Sequence, residues 1–278
     1  MLKKLLATLA ISFTCALPAV AAGGYPSDTA PNRLNDLASL QNGAKLFVNY
    51  CLNCHSANSM RYNKLTDIGL TEEEITRNLL FTSDKVGDLM TIAMTREDSS
   101  KWFGAAPPDL SVIARSKSVT MGASGVDYVY NFLRGFYRDA SRPTGWDNTV
   151  FPSVGMPHAL WQLQGEGSLE HTSVRQGDDG KWTRKVTTYD AQGFSEVKTE
   201  TLDNYSGGRS DTYKRTAADA KQDSAYDSDV ADLANFLGWM SEPDQLFRKQ
   251  LGIGVLFFLA IFLFVALRLN AAYWRHVK

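Results

Sequence analysis

Residues 42–56 read NGAKLFVNYCLNCHS, and the five letters Cys51-Leu52-Asn53-Cys54-His55 within them decide how the rest is read. C-x-x-C-H is the attachment pattern of c-type haem. Residues three and four apart on a helical turn share a face. Two thiols so spaced can form thioethers with the haem vinyl groups while the next residue offers its imidazole to the iron. A redox dithiol or half of a zinc site is the competing reading, and either needs more ligands or a different fold. The approach to the motif favours haem. Leu40, Ala44, Phe47 and Val48 recur at helical spacing, which predicts a helix from Ser39 to Tyr50, capped by Ser39 and running into Cys51. One covalently bound haem c is the expected cofactor.

The sixth ligand has several candidates: Met60, Met90, Met94, Met121, Met156 and Met240. Met60 stands too near the attachment loop to cross to the other haem face, and Met240 ends a helix wanted for the core. Met156 lies in FPSVGMPH (151–158), where Gly155 and Pro157 impose an irregular backbone able to hold a thioether on iron. A methionine at random is usually core filler. His158, two residues on, is the rival and would make a bis-histidine site of lower potential. A methionine ligand raises the potential, which points to the oxidising end of a respiratory chain and to electron transfer rather than oxygen chemistry. Arg115, which follows Pro107 and Pro108 in PPDLSVIAR, reads either as a surface charge or as a fork-shaped donor to a haem propionate.

The two ends read as export and anchorage. Lys3 and Lys4, an apolar run from Leu5 to Leu17 and the small-x-small triplet Ala19-Val20-Ala21 make residues 1–21 a cleaved signal peptide, which would remove Cys15. The run is too short to span a bilayer, although a retained amphipathic anchor is the alternative. Leu251 to Leu267 carry no charge and have phenylalanines all round, so residues 250–270 are expected to cross the membrane. Residues 271–278 would form a tail on the cytoplasmic side. Arg268, Arg275 and Lys278 after the span, against Arg248 and Lys249 before it, agree with that orientation. Residues 22–249, outside the membrane, hold all 30 acidic residues but 24 of the 29 basic ones, a formal charge of −6. Such a surface suits a basic or dipolar partner and excludes nucleic acid.

Between the ends, residues 22–38 read as an extended lead. A short helix is expected over 71–80 with Thr71 as cap, a rigid diproline turn over 102–112, and a helix over 125–133. Residues 141–160 follow no periodicity. Residues 166–208 read as a peripheral polar insertion, with a hairpin formed by KWTRKVTTYD and FSEVKTETLD about Ala191-Gln192-Gly193. Residues 209–228 are charged and expected to be exposed. The last soluble helix is expected over Asp229 to Met240, interrupted by Glu242-Pro243 ahead of the span.

Taken in order, NGAKLFVNYCLNCHS (42–56), MRYNKL (60–65), APPDLSVIAR (106–115), DYVYNFLRGF (127–136), VFPSVGMPHAL (150–160) and DVADLANFLGWMSEP (229–243) resemble the cytochrome c1 family. Its members are the membrane-anchored haem subunits of the ubiquinol–cytochrome c oxidoreductase (cytochrome bc1) complex. The resemblance implies a mainly α, class I c-type cytochrome fold with loop and β-hairpin insertions, plus one C-terminal transmembrane helix. It implies that the helix before Cys51 crosses the helix around Phe236. It also implies Met156 as distal ligand, Arg115 as a propionate contact, Pro107 and Pro108 beside the haem, and Tyr62 near the attachment site. Electrons would come from the Rieske iron–sulfur protein and leave to a c-type cytochrome, with cytochrome b as a further partner. The setting implied is a bacterial inner membrane with the haem domain in the periplasm. No chemistry is implied for 166–208, and no catalytic triad or general base. Two other functions remain open: a free-standing membrane-tethered electron shuttle, which would need fewer residues, and a haem-based ligand sensor, which would need an open sixth position.

Overall fold

The computed structural model describes residues 28–120 and 122–276, so the signal peptide, Met121 and Lys278 lie outside the described residues. The core is built where helix α1 (Leu37–Leu46) crosses helix α7 (Ala220–Ser241). Gly43 makes that crossing possible, because a Cβ there would sit 2.4 Å from the Asp232 carbonyl oxygen and 2.6 Å from the Phe236 Cβ. One turn on, Phe47 packs on Phe236 with ring centroids 5.7 Å apart. The expected crossing near Phe236 is therefore present.

The start of α1 differs from expectation. Asp36, not Ser39, caps it by accepting from the amides of Ala38 and Ser39, and the Ser39 hydroxyl donates back to Asp36 at 3.0 Å. Either side chain can cap a helix; Ser39 is buried one turn inside, on the core face. At its other end α1 widens into a π-turn over Phe47–Cys51, where the Leu52 amide donates to the Phe47 carbonyl.

The extended lead, described from Asp28, is tied down by side chains. Asn131 and Asp127 accept from the amides of Asp28 and Ala30, and Asn235 brackets Pro31 and Arg33. Arg33 also meets the buried Asp232 carboxylate at 2.5 Å, which Asn42 contacts from α1 at 2.9 Å. The Asp232 charge is thus compensated at the helix crossing, as a buried carboxylate requires.

Strand β1 (Ala57–Arg61) follows the motif and pairs with β2 (Leu89–Met90). Helix α2 (Glu72–Asn78) starts at Thr71 with a full capping box to Glu74. Helix α3 (Arg96–Phe103) precedes the diproline segment, so the rigid turn begins later than 102. The single turn α4 (Ile113–Ser116) and helix α5 (Gly125–Arg134), capped by Ser124, pack near α7. Strands β3 (Phe136–Arg138) and β4 (Trp146–Asn148) form a small antiparallel ribbon, and the single turn α6 (Trp161–Gln164) follows.

Two expectations are corrected. The insertion expected over 166–208 with a hairpin is, together with residues 210–217, a four-stranded antiparallel sheet: β5 (Gly167–Gln176), β6 (Trp182–Tyr189), β7 (Ser195–Leu202) and β8 (Ser210–Ala217), in the order β7-β6-β5-β8. The fold is helix-rich but carries substantial sheet, more than a mainly α description allows. The expected hairpin is β6–β7, paired from Tyr189↔Ser195 to Trp182↔Leu202. Its outer neighbours were hidden because their strands are polar on both faces. Gly193 closes the β6–β7 turn at φ 91° and docks on the body, where its carbonyl accepts from Ala140 and a Cβ would lie 2.8 Å from that amide. Tyr137 and Tyr189 pack across the same seam at 4.8 Å.

The second correction lengthens the last soluble helix. Residues 220–228 belong to α7, capped by Asp219. Their charges are used: Asp227 pairs with Arg134 at 2.6 Å, while Tyr226 is buried and donates to the Leu133 carbonyl at 2.7 Å. Past Glu242 and Pro243, helix α8 (Gln245–Tyr273) runs 29 residues; its most apolar stretch of 18 residues has a mean hydropathy of 2.6 and none of it is buried, long and apolar enough to cross a membrane.

Candidate haem site

The motif occupies a single turn at the end of α1. The amides of Cys54 and His55 both donate to the Cys51 carbonyl, at 3.1 and 2.9 Å. This turn brings the two free, half-buried thiols and the imidazole together. Burial pushes the Cys51 thiol up to about 12, with the neighbouring Cys54 adding to the rise, so the turn holds it neutral. A thioether at that position brings no charge to bury.

His55 is oriented by the diproline segment. Its Nδ1 lies 2.7 Å from the Pro108 carbonyl oxygen. A carbonyl only accepts, so Nδ1 carries the proton and Nε2 keeps its lone pair for a metal, the arrangement that fixes the tautomer of a ligating histidine. Burial lowers the His55 pKa against the opposing pull of the Pro108 bond and of Asp109, which favours the neutral, ligating form.

The segment is in turn pinned to the motif strand. Leu110 donates to the Ser56 carbonyl, Asn58 to the Asp109 carboxylate at 2.7 Å, and Ser59 to the Ser111 hydroxyl at 2.9 Å. Pro107 and Pro108 thus stand beside His55. Asp109 and Ser111 act in this clamp, although neither is among the expected haem contacts. The signal that could have found them is an Asx turn, with Asp109 accepting from the Ser111 amide directly after two prolines.

The other named residues are distributed differently. Tyr62 is wholly buried at the end of β1, its hydroxyl 2.9 Å from that of Thr82, so it serves the core adjoining the attachment turn. Arg115 is exposed on α4, its guanidinium without a hydrogen bond or ion pair among the described residues, and its charge helps to hold Glu242 below the usual carboxylate range after the larger effect of Arg248. Its guanidinium is therefore available to a further anion.

Met156 is half-buried and packs on the small cluster of Phe136, Trp146 and Val154. Its neighbour Gly155 approaches the Phe103 carbonyl at the end of α3, 3.7 Å from an added Cβ. His158, the rival ligand, is committed to the core. Its ring stacks on Phe136 at 4.7 Å and meets Trp146 edge-on, and Nε2 donates to the Gln164 side-chain oxygen at 2.9 Å. Burial lowers its pKa to about 3, so it is a neutral packing group. Taken as a donor set, two thiols, an imidazole with a free Nε2 and a half-buried thioether fit an iron porphyrin attached through its vinyl groups.

The comparisons agree with that chemistry. The chain matches the Cytochrome C1 family over residues 28–168 and 211–277. The interval skipped, 169–210, spans nearly all of β5 together with β6 and β7. Cytochrome c1 of Allochromatium vinosum is 39% identical over the full length of both chains. A protein named ammonia monooxygenase gamma subunit in Nitrosomonas europaea is 38% identical over 90% of this chain and 88% of its own. Cytochrome c1 of Rhodospirillum rubrum is 27% identical over 87% of this chain and 83% of its own. From the ordered motifs, the thiol–imidazole turn and these matches, the chain belongs to the cytochrome c1 family, haem proteins of respiratory electron transport.

Proposed function

We propose that this chain holds a single haem c through thioethers to Cys51 and Cys54, with His55 as proximal ligand and Met156 as distal ligand. It carries one electron at a time from a Rieske iron–sulfur protein to a c-type cytochrome, within a complex that includes cytochrome b. The observation that carries the reading is the hydrogen bond from His55 Nδ1 to Pro108, beside two thiols on the same turn. When bound, the haem supplies a one-electron Fe(III)/Fe(II) couple. The residues of the chain do the rest. The Pro107–Ser111 clamp orients the imidazole, Met156 would supply a thioether ligand that raises the potential, and Arg115 would offer a guanidinium to a propionate. Tyr62 stiffens the core next to the attachment turn. Nothing in this scheme needs a general base, because no substrate bond is made.

The same reading makes 22–249 a class I cytochrome domain in the periplasm after removal of residues 1–21. It makes 250–270 a single span of the bacterial inner membrane and 271–278 a cytoplasmic tail. The long apolar α8 directly after the core helix supports the anchor. Reduced-minus-oxidised difference spectra of membranes test the function. Quinol should reduce this haem, and an inhibitor of the quinol-oxidising site should block that reduction. Reduction that ignores the inhibitor would mean a free-standing shuttle, or delivery to an oxygenase of the kind named for the Nitrosomonas relative. Rapid carbon monoxide binding by the native protein would mean a ligand sensor.

A further inference from the structure

The loop that delivers Met156 has no regular secondary structure, yet the amides of Val150, Phe151, Ser153 and Val154 are all held by two adjacent side chains on β4. Asp147 and Asn148 are 3% and 0% exposed. One Asp147 carboxylate oxygen accepts from the amides of Asn148 (2.8 Å), Ser153 (2.6 Å) and Val154 (3.2 Å). The other takes both Nε and Nη2 of Arg142, at 2.9 and 2.6 Å. The Asn148 side-chain oxygen accepts from Val150 (2.8 Å) and Phe151 (3.1 Å), and its NH2 donates to the Phe132 carbonyl at 2.7 Å. Thr149 donates to Gly135, and Pro152 has no N–H. Every amide from 148 to 154 is thus accounted for, as a loop held in one conformation requires.

The conformation so held is not one the chain would choose freely. Ser153 sits at φ 64°, in the left-handed region that a non-glycine residue seldom adopts. Its amide is fixed by Asp147 and its hydroxyl by Arg142 Nη2 at 2.9 Å. Val154 is thereby driven into the Phe136–Trp146 cluster, on which Met156 also packs. Two residues beyond Met156, His158 is anchored to Gln164. Met156 hangs between two fixed points, each two residues away, and the one at Val154 is built on a buried carboxylate.

We propose that Asp147 is a positioning residue for Met156, holding the loop so that the thioether is presented to the iron in both oxidation states. The proposal rests on the reading of Met156 as distal ligand. A thioether binds iron weakly, so ordering its loop in advance removes the entropy that bond would otherwise have to overcome. Without the brace, the loop would present Met156 less often, and the potential that a methionine ligand raises would fall.

The test uses the full-length protein in membranes or detergent, with Asp147→Asn as the principal variant. Whichever way the new amide turns, either the loop N–H groups or the Arg142 guanidinium faces a donor instead of an acceptor. Three properties are read: the weak long-wavelength absorption of the ferric methionine–iron bond, carbon monoxide binding to the ferrous haem, and the midpoint potential. The expected result is a weakened methionine band, a lower potential, and carbon monoxide binding increased by about tenfold or more, the scale of one lost charge-assisted hydrogen bond. Met156→Ala is measured in parallel and should open the iron fully; a Met156→Ala protein that stays closed would refute the ligand reading itself. If Met156→Ala opens the iron while Asp147→Asn lowers only the melting temperature, Asp147 is merely structural and the proposal falls. Should Asp147→Asn fail to accumulate, Arg142→Gln, which strips the outer oxygen of both partners, is read the same way, and native values there would overturn the proposal.

Discussion

At the scale of single residues, the site depends on which hydrogen-bonding groups are already engaged. His55 is ready to bind metal because Pro108 has taken its other nitrogen. His158, equally suited in composition, is removed from contention because Gln164 and two aromatic rings have taken it. Arg115 is the opposite case, a guanidinium with no ion-pair partner among the described residues. A cation beside the haem favours the reduced iron, which carries one positive charge fewer. Arg115→Gln should therefore lower the midpoint potential while leaving the spectrum of the axial ligands unchanged. Potentiometric titration of the variant beside the native protein decides it, and an unchanged potential would return Arg115 to the status of a surface charge. The sequence left that choice open, since a propionate contact and a solvated arginine look alike until the surrounding acids are seen.

At the scale of elements, the helix crossing followed from the family resemblance and the Thr71 cap from local letters, whereas the cap of α1 and the sheet were not legible. The C-x-x-C-H turn and the Thr71 box are short local patterns whose chemistry is written in adjacent letters. Strands β5 and β8 carry polar residues on both faces and bury little beyond Leu169 and Val174, so no alternation marked them. The extension of α7 back to Ala220 was invisible for a related reason: Tyr226 and Asp227 find their partners, Leu133 and Arg134, far away in sequence. Two outcomes belong here. Gly43→Ala would push a methyl into the Asp232 backbone, which cannot yield as a flexible side chain would, so thermal unfolding should show a loss of roughly 1–3 kcal/mol. Glu74 is held below the usual carboxylate range by the Thr71 amide and hydroxyl. A depressed folded-state pKa contributes stability that is present above the unfolded value of 4.5 and lost as the pH falls through the lower folded one. Glu74→Gln should accordingly be less stable than the native protein near neutral pH, with the difference shrinking as the solution is acidified below 4.5. A gap that stays constant with pH would show that the charge of Glu74 contributes nothing.

At the scale of the whole molecule, the body and the apolar helix are joined through very little. The core closes between α1, α5 and α7, and α7 is buried almost continuously from Val230 to Met240. Helix α8 has no buried residue along its length and meets the body at its first turns, through Gln245 and Arg248 on Glu242. The Arg248–Glu242 pair is largely solvent-exposed on the arginine side, and such pairs contribute about 0–1 kcal/mol. The haem-bearing body should therefore not need the anchor in order to fold. A chain ending at Asp244, exported with residues 1–27 in place, should leave the membrane fraction and sediment as a water-soluble protein. It should keep the covalent haem, the methionine–iron band and the midpoint potential of the full chain, while losing quinol-dependent reduction in isolated membranes. Loss of haem or a shifted potential in the soluble form would mean that α8 packs on the site when the bilayer is present. Retention on the membrane would mean that another surface of the body binds it, and the exposed Trp102, Phe103 and Phe151 would be the first side chains to replace.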